Sequence, residues 1–371
     1  TNTLDVALEG SLFNDRFTFS IGYYNKRNAD LLYNVNLPIS AGNVLTNGAM
    51  IQVLKNVGTM ENQGWELQFG VDIIRNRNFK WNFNIDASFL KNKVVKLPDG
   101  KDIVGQALFQ GKSRYEHYLY TWAGVDRATG NSLYKMEPNS PDYWEYDANG
   151  KHVYNESAYL SKLKAAKASG HYFEIDGEGY TDQTQYAGRQ VQGTSLPTVY
   201  GSFGTNLSWK GLNFSMLFTY SLGGKTYNGI YASLMGVSSQ GAPSALHKDN
   251  LKSWTEPNGV QNADGTWQHI IDPNGVPVND TELSQYNNSG SSRFLFSSNY
   301  LTLKNINLNY DFPKKWVNAL KLQNINVGVS IDNLFIATTK KGMNPQYSFG
   351  GGQGNYFMPA RVFNFSLAFK F

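Results

Sequence analysis

The chain has 371 residues, a net charge of +4 from 33 basic and 29 acidic residues, and no cysteine. That excludes a disulfide framework, a thiolate metal site and a thiol nucleophile, and the mild charge excludes a nucleic-acid footprint. Aromatic residues reach 14%, with 36 glycines, yet no stretch approaches the roughly 20 apolar residues of a membrane-spanning helix.

In chain order, the dominant signal is alternation. Phe17, Phe19, Ile21 and Tyr23 alternate with Thr18, Ser20 and Gly22. Trp65, Leu67, Phe69, Val71 and Ile73 alternate with Glu66, Gln68, Gly70 and Asp72. Trp81, Phe83, Ile85, Ala87 and Phe89 follow the same rule, as do Leu212, Phe214, Met216, Phe218 and Tyr220, then Ile325, Val327, Val329 and Ile331. The end repeats it: Phe363, Phe365, Leu367, Phe369 and Phe371 share one face, with Asn364, Ser366, Ala368 and Lys370 on the other. A period of two gives each strand one face for hydrocarbon and one for water. The runs approach the 9–11 residues of a tilted bilayer-crossing strand rather than the 5–6 of a globular one. A large soluble sandwich or solenoid also alternates. Aromatic residues at strand ends, including Trp81, Trp209, Tyr310, Phe369 and Phe371, favour the membrane as interface girdles and a terminal strand signal.

These patterns predict an all-β transmembrane antiparallel β-barrel with about eleven strands, at 3–12, 16–25, 63–74, 80–91, 115–123, 130–136, 199–209, 212–221, 299–311, 322–333 and 361–371. Short connections at Phe13–Asp15, Arg75–Asn78, Lys210–Gly211 and Phe312–Trp316 oppose long ones at about 26–62, 91–114, 137–198, 222–298 and 333–360. Short periplasmic turns opposite long extracellular loops orient the barrel. The first and last strands then both run inward. An odd count starting outside, against the even count of single-chain bacterial barrels, predicts further strands upstream of Thr1. Open edges in lipid would leave backbone groups unpaired, so another segment closes the barrel. A cleaved extracellular loop is one explanation.

Several segments resemble a known family: Asn56-Val-Gly-Thr-Met-Glu-Asn-Gln-Gly-Trp-Glu66, Phe79-Lys-Trp-Asn, Ala87-Ser-Phe-Leu-Lys-Asn-Lys93, Trp122-Ala-Gly-Val-Asp-Arg-Ala-Thr-Gly130, Ser292-Arg-Phe-Leu295, Asn299-Tyr-Leu-Thr-Leu-Lys-Asn305, Asp332-Asn-Leu-Phe335 and Pro359-Ala-Arg-Val-Phe363. In this order, over nearly the whole chain, they resemble the C-terminal barrel half of a SusC-like (RagA-type) TonB-dependent transporter. The resemblance implies a location in the outer membrane of a Gram-negative bacterium and a barrel of about 22 strands, of which these are the second half. It places the plug and the TonB-contacting segment in the other half. It implies TonB-driven import of an oligosaccharide or oligopeptide beneath a SusD-like lipoprotein lid, in some members as a dimer of barrel–lid pairs. A passive porin or a loop-displaying adhesin is the alternative.

No catalytic constellation stands out. His117, His152, His171, His247 and His269 are scattered, and no H-E-x-x-H, G-x-S-x-G or P-loop motif is present. The wall carboxylates Glu66, Asp72 and Asp86 are expected to face the wet interior. Glu174, Asp176, Glu178, Tyr180 and Asp182 recur every second residue around Gly179, as in a calcium loop. Glu in first place, Thr181 in eighth and Gln185 in twelfth depart from that pattern. Residues 156–168 read as a short loop helix stopped by Gly170. Tyr143, Trp144, Tyr146, Trp254 and Trp267 are candidate cargo-stacking aromatics, or equally loop-packing residues.

Overall fold

The computed structural model describes residues 1–36, 52–100, 102, 107–147, 152–237, 245–347, 350–353 and 358–371. Nine strands form one antiparallel sheet joined in chain order: β1 (Asn2–Leu12), β2 (Phe17–Asn36), β3 (Gln52–Arg75), β4 (Phe79–Lys96), β5 (Val199–Trp209), β6 (Leu212–Leu222), β7 (Tyr300–Asp311), β8 (Asn324–Thr338) and β9 (Val362–Lys370). The outermost, β1 and β9, pair on one side only. Among the described residues no helix is long and apolar enough to cross a membrane.

The strand count differs from the expected eleven. Residues 115–123 and 130–136 are not in the wall, because β4 pairs directly with β5 from Phe79↔Trp209 to Phe89↔Val199. The whole of 97–198 is therefore one excursion. The strands that 115–123 and 130–136 do form, Glu116–Tyr120, Trp122–Asp126 and Ser132–Lys135, run only four or five residues, too short to cross a bilayer. Leu133 and its neighbours Ser132 and Tyr134 are all fully buried, so this segment has no lipid face. The expected 26–62 loop also shrinks, because β2 and β3 pair from Phe17↔Val71 out to Asn36↔Gln52, through register slips between Asn28 and Leu32.

Register explains why the sheet has two chemistries. Residues directly opposite in paired strands share a face. One row runs Trp81–Leu207–Phe214–Leu308–Val329–Phe365 across β4 to β9. The next row over, on the other face, runs Asp72–Asn82–Asn206–Ser215–Asn307–Ser330–Asn364 across β3 to β9. The apolar face is exposed in the isolated sheet, with Trp65, Trp209, Phe365 and Leu367 each half-exposed or more. Hydrocarbon is the solvent that makes such a face favourable.

Local chemistry fixes the short ends. Lys210 and Gly211 both take positive φ (46° and 91°) between β5 and β6, the two-residue I′ geometry that matches strand twist. A Cβ on Gly211 would sit 2.5 Å from the Asp311 carbonyl. Between β7 and β8, Lys314–Ala319 forms one short helix. The Asp332-Asn-Leu-Phe segment marks a bulge where the register slips near Leu303 and Asn305. There Asn333 takes φ 53° and accepts from Lys304 Nζ at 3.0 Å, while Asn305 donates to Asp332 at 2.7 Å.

Candidate functional site: an outer loop module and a polar inner wall

The two longest excursions, between β4 and β5 and between β6 and β7, build one module. A curled five-stranded sheet joins Tyr172–Ile175, Glu178–Thr181, Ser132–Lys135, Trp122–Asp126 and Ile271–Asp272 in that order. Strands from both excursions thus share a sheet, and Phe173 closes the curl with its ring 4.7 Å from that of His269.

Two carboxylates organise this module. Asp126 is fully buried. It accepts from the Ala128 N–H at 3.1 Å, the Thr129 hydroxyl at 2.8 Å and His269 Nδ1 at 2.7 Å. A buried carboxylate needs such partners to offset lost hydration. That explains the Asp-Arg-Ala-Thr-Gly run: the side chain caps its own turn, and Gly130, at φ 76°, closes it. A Cβ on Gly130 would lie 2.5 Å from the Trp254 ring. Asp142 is held by Arg189 through Nη2 at 2.7 Å, Nε at 3.2 Å and the backbone N–H at 2.9 Å. Burial pushes the Asp142 carboxyl up, but Arg189 overrides it and holds it below the ordinary value. The same guanidinium stacks 4.5 Å over Tyr118.

The calcium loop expected at Glu174, Asp176, Glu178, Tyr180 and Asp182 is replaced by a β-hairpin. Glu174 pairs with Gly179 and Ile175 with Glu178 around a two-residue Asp176-Gly177 turn, both at positive φ. Extended pairing prevents the chain from curling its oxygens around one ion. Glu178 bonds Lys135 at 2.9 Å, and Asp182 accepts from His171 at 2.8 Å and Asn131 at 3.1 Å. Among the described residues no three metal-ligating side chains converge.

The candidate stacking aromatics are spread through loop packing. Tyr143 is buried against Tyr159, edge-on at 5.8 Å, with Lys162 of α1 (Glu156–Ala168) over its ring. Trp144 meets Phe109 edge-on at 6.3 Å. Tyr146 accepts from the Asp102 backbone N–H and donates to its carbonyl. Trp254 donates to the Arg127 carbonyl at 3.0 Å, and Trp267 bridges Gln261 in a projecting turn. The five do not form one platform. The α1 helix lies where the sequence predicts it, with Asn155 capping the Ala158 N–H at 3.1 Å.

A second network holds the far side. Lys340, beyond β8, reaches Asp249 at 3.4 Å and lies 4.0 Å over the Tyr231 ring. Tyr231 donates to Asp249 at 2.9 Å. Burial first, then the Asp249 charge, pushes the Tyr231 phenol up to about 12. Neither Asp142–Arg189 nor Asp249–Lys340 was singled out in the sequence, because partners 47 and 91 residues apart leave no periodic trace.

The girdle candidates fall as strand ends require. Trp209 and Tyr310 share a row with Phe79 and Leu212 at the short-turn end, and Trp81 stands one row inward, donating to Thr205 at 2.8 Å. Phe369 pairs with Ile325, and Phe371 lies just past β9. The inner face meanwhile carries Asp86, Asn84, Gln68 and Glu66, as expected for the carboxylates. Asp86 accepts from both the backbone N–H and the hydroxyl of Ser202.

No family model matches the sequence. A TonB-dependent receptor of Formosa agariphila is 27% identical over 362 residues, covering 94% of this chain and 32% of the relative. TonB-dependent receptor SusC of Bacteroides thetaiotaomicron is 24% identical over 373 residues, covering 100% and 32%. The RagAB peptide transporter superposes with a TM-score of 0.68 at 20% identity, covering 100% of this chain and 35% of that one. The chain thus spans about a third of the length of the relatives it matches. The chain is similar over nearly its whole length to a segment of TonB-dependent receptors, SusC among them, and has the fold of the RagAB transporter barrel.

Proposed function

We propose that this chain supplies part of the wall and the outer loops of an active importer for a large nutrient, an oligosaccharide or an oligopeptide. TonB would drive it through the remainder of the receptor, and a SusD-like lipoprotein would cover its mouth. The observation that carries this reading is the join of a lipid-faced wall to a packed outer module held by Asp126–His269 and Asp142–Arg189. A mouth of folded loops can hold cargo and a lid, and a solved structure that shares this fold is named a peptide transporter. A passive pore or an adhesin remains the rival, and energy dependence separates them. Uptake of labelled glycans and peptides in cells carrying or lacking the receptor, with and without TonB, tests the proposal. Loss of one cargo class in both deletions is expected. Uptake of every cargo that ignores both deletions would overturn it.

A further inference from the structure

The lipid face of β4 to β6 is hollowed along its middle strand. Along β5 the outward side chains are Phe203, Thr205, Leu207 and Trp209, and Thr205 stands between Phe83 of β4 and Met216 of β6. The small residue leaves a hollow of about 470 Å³, walled by Trp81, Phe83, Phe203, Met216 and Phe218. A second hollow of about 340 Å³ adjoins it through Phe79 and Leu207 and runs on to Trp209, Leu212 and Phe214. Both linings are almost entirely carbon. The polar groups at the floor are spent locally: Trp81 Nε1 donates to the Thr205 hydroxyl at 2.8 Å, and that hydroxyl donates to the Asn82 carbonyl at 2.9 Å. At the short-turn mouth of the hollows Lys210 is exposed, its amine 5.6 Å from the centre of the outward Trp209 ring.

We propose that this track is a phospholipid site: one acyl chain lies in the hollows, and the anionic headgroup phosphate meets Lys210. The proposal needs the wall to stand in a bilayer and asks nothing of import. Length is the first argument. From Phe203 to Trp209 the strand advances six residues, about 20 Å at roughly 3.4 Å each, or about 14 Å along the bilayer normal at a tilt of about 45°. One leaflet of a hydrocarbon core about 30 Å thick is about 15 Å deep. The track thus runs from headgroup level to the midplane, the reach of one acyl chain. Charge is the second argument. The four short connections, 13–16, 76–78, 210–211 and 312–323, carry Arg16, Arg77, Lys210, Lys314, Lys315 and Lys321 and a single acid, Asp15. Each basic residue near a lipid surface favours an anionic headgroup about fivefold. Short turns lie at the periplasmic end of such barrels, so the lipid belongs to that leaflet.

The test is native mass spectrometry of the full-length receptor, equilibrated with phosphatidylglycerol and phosphatidylcholine of equal chain length and released from detergent. Retention of phosphatidylglycerol over phosphatidylcholine is expected. Lys210→Asn removes the charge yet suits the positive φ of that turn, since Asn-Gly favours the I′ geometry. It is expected to cut the preference about fivefold, and Lys210→Arg to keep it. Thr205→Leu fills the floor and is expected to lower retention of both lipids. Thr205 also holds Trp81, so heat-modifiable migration on gels checks that the barrel is assembled. Where it is not, Met216→Trp fills the same hollow from its side without touching that hydrogen bond, and is expected to act alike. No preference in the unmodified receptor, or the same preference in Lys210→Asn, overturns the proposal. So does retention that ignores both filling variants, which would leave the lipid on the rim alone. A receptor dimer that binds no lipid and that Thr205→Leu dissociates would give the track to a second copy, and overturns it too.

Discussion

The phenol of Tyr220 donates to the backbone carbonyl of Asp86 at 3.0 Å, reaching across Gly201 in the strand between them. Gly201 faces Ala87 on one side and Tyr220 on the other. Its missing side chain is what lets the ring cross, because a Cβ there would lie 2.1 Å from that carbonyl oxygen. Phe203 stacks beside it on Phe218 at 4.8 Å. Gly201→Ala is therefore expected to block tight pairing of β4 with β5, seen as loss of the heat-modifiable barrel. Tyr220→Phe keeps the ring and is expected to cost about 1 kcal/mol by urea unfolding. A fully assembled Gly201→Ala barrel of unchanged stability would refute this.

The two faces of the wall should answer differently to the same charge. Met216 lies mid-strand on the apolar face of β6 and Thr219 on the polar one. Met216→Arg is expected to cost about 2–4 kcal/mol near the bilayer midplane, whereas Thr219→Arg is expected to be tolerated. Folding into lipid vesicles, followed by denaturant titration, measures both.

The Asp142–Arg189 pair predicts acid sensitivity of the outer module. The folded Asp142 pKa lies below its unfolded value of about 3.9. Stabilisation from the pair is therefore complete above the unfolded value and is lost as pH falls through the folded one. Limited proteolysis of the outer loops is expected to accelerate below about pH 4. Asp142→Asn is expected to weaken the module by about 2 kcal/mol at neutral pH and to flatten that dependence. An acid transition retained in Asp142→Asn would assign it to another group.

Asp126 is the most committed side chain of the loops, with no exposed surface and three donors. Asp126→Ala strands those donors and is expected to destabilise the module by about 2 kcal/mol. His269→Ala removes one of those donors and the ring contact with Phe173, leaving Asp126 two donors, and is expected to cost less. Hydrogen exchange at residues 122–135 and 269–272 would read the difference, and equal protection loss in both variants would contradict it.

Calcium is expected to leave the 171–183 segment unchanged, because strand pairing, not an ion, sets its shape. Isothermal titration of the receptor and of a Glu174→Gln, Glu178→Gln variant is expected to show no calcium heat that the double substitution removes.

How far the sequence reaches follows from what each signal requires. The alternation of Phe363, Phe365, Leu367 and Phe369 is a local property, since a period of two puts those rings on one face of any strand. It determined nine wall strands, the lipid face and the short turn at Lys210–Gly211. It did not reveal that Trp122–Asp126 and Ser132–Lys135 leave the wall. A short apolar run reads alike in a barrel and in a globular core, and only the direct pairing of Phe89 with Val199 decides. The alternating acids from Glu174 to Asp182 misled for a related reason: spacing along a chain specifies donors but not whether the backbone curls or extends. Partners such as Asp126–His269 and Tyr220–Asp86 lie 143 and 134 residues apart. So the chain's own periodicity settled that this is membrane wall, whereas the outer module exists only once register sets distant residues side by side.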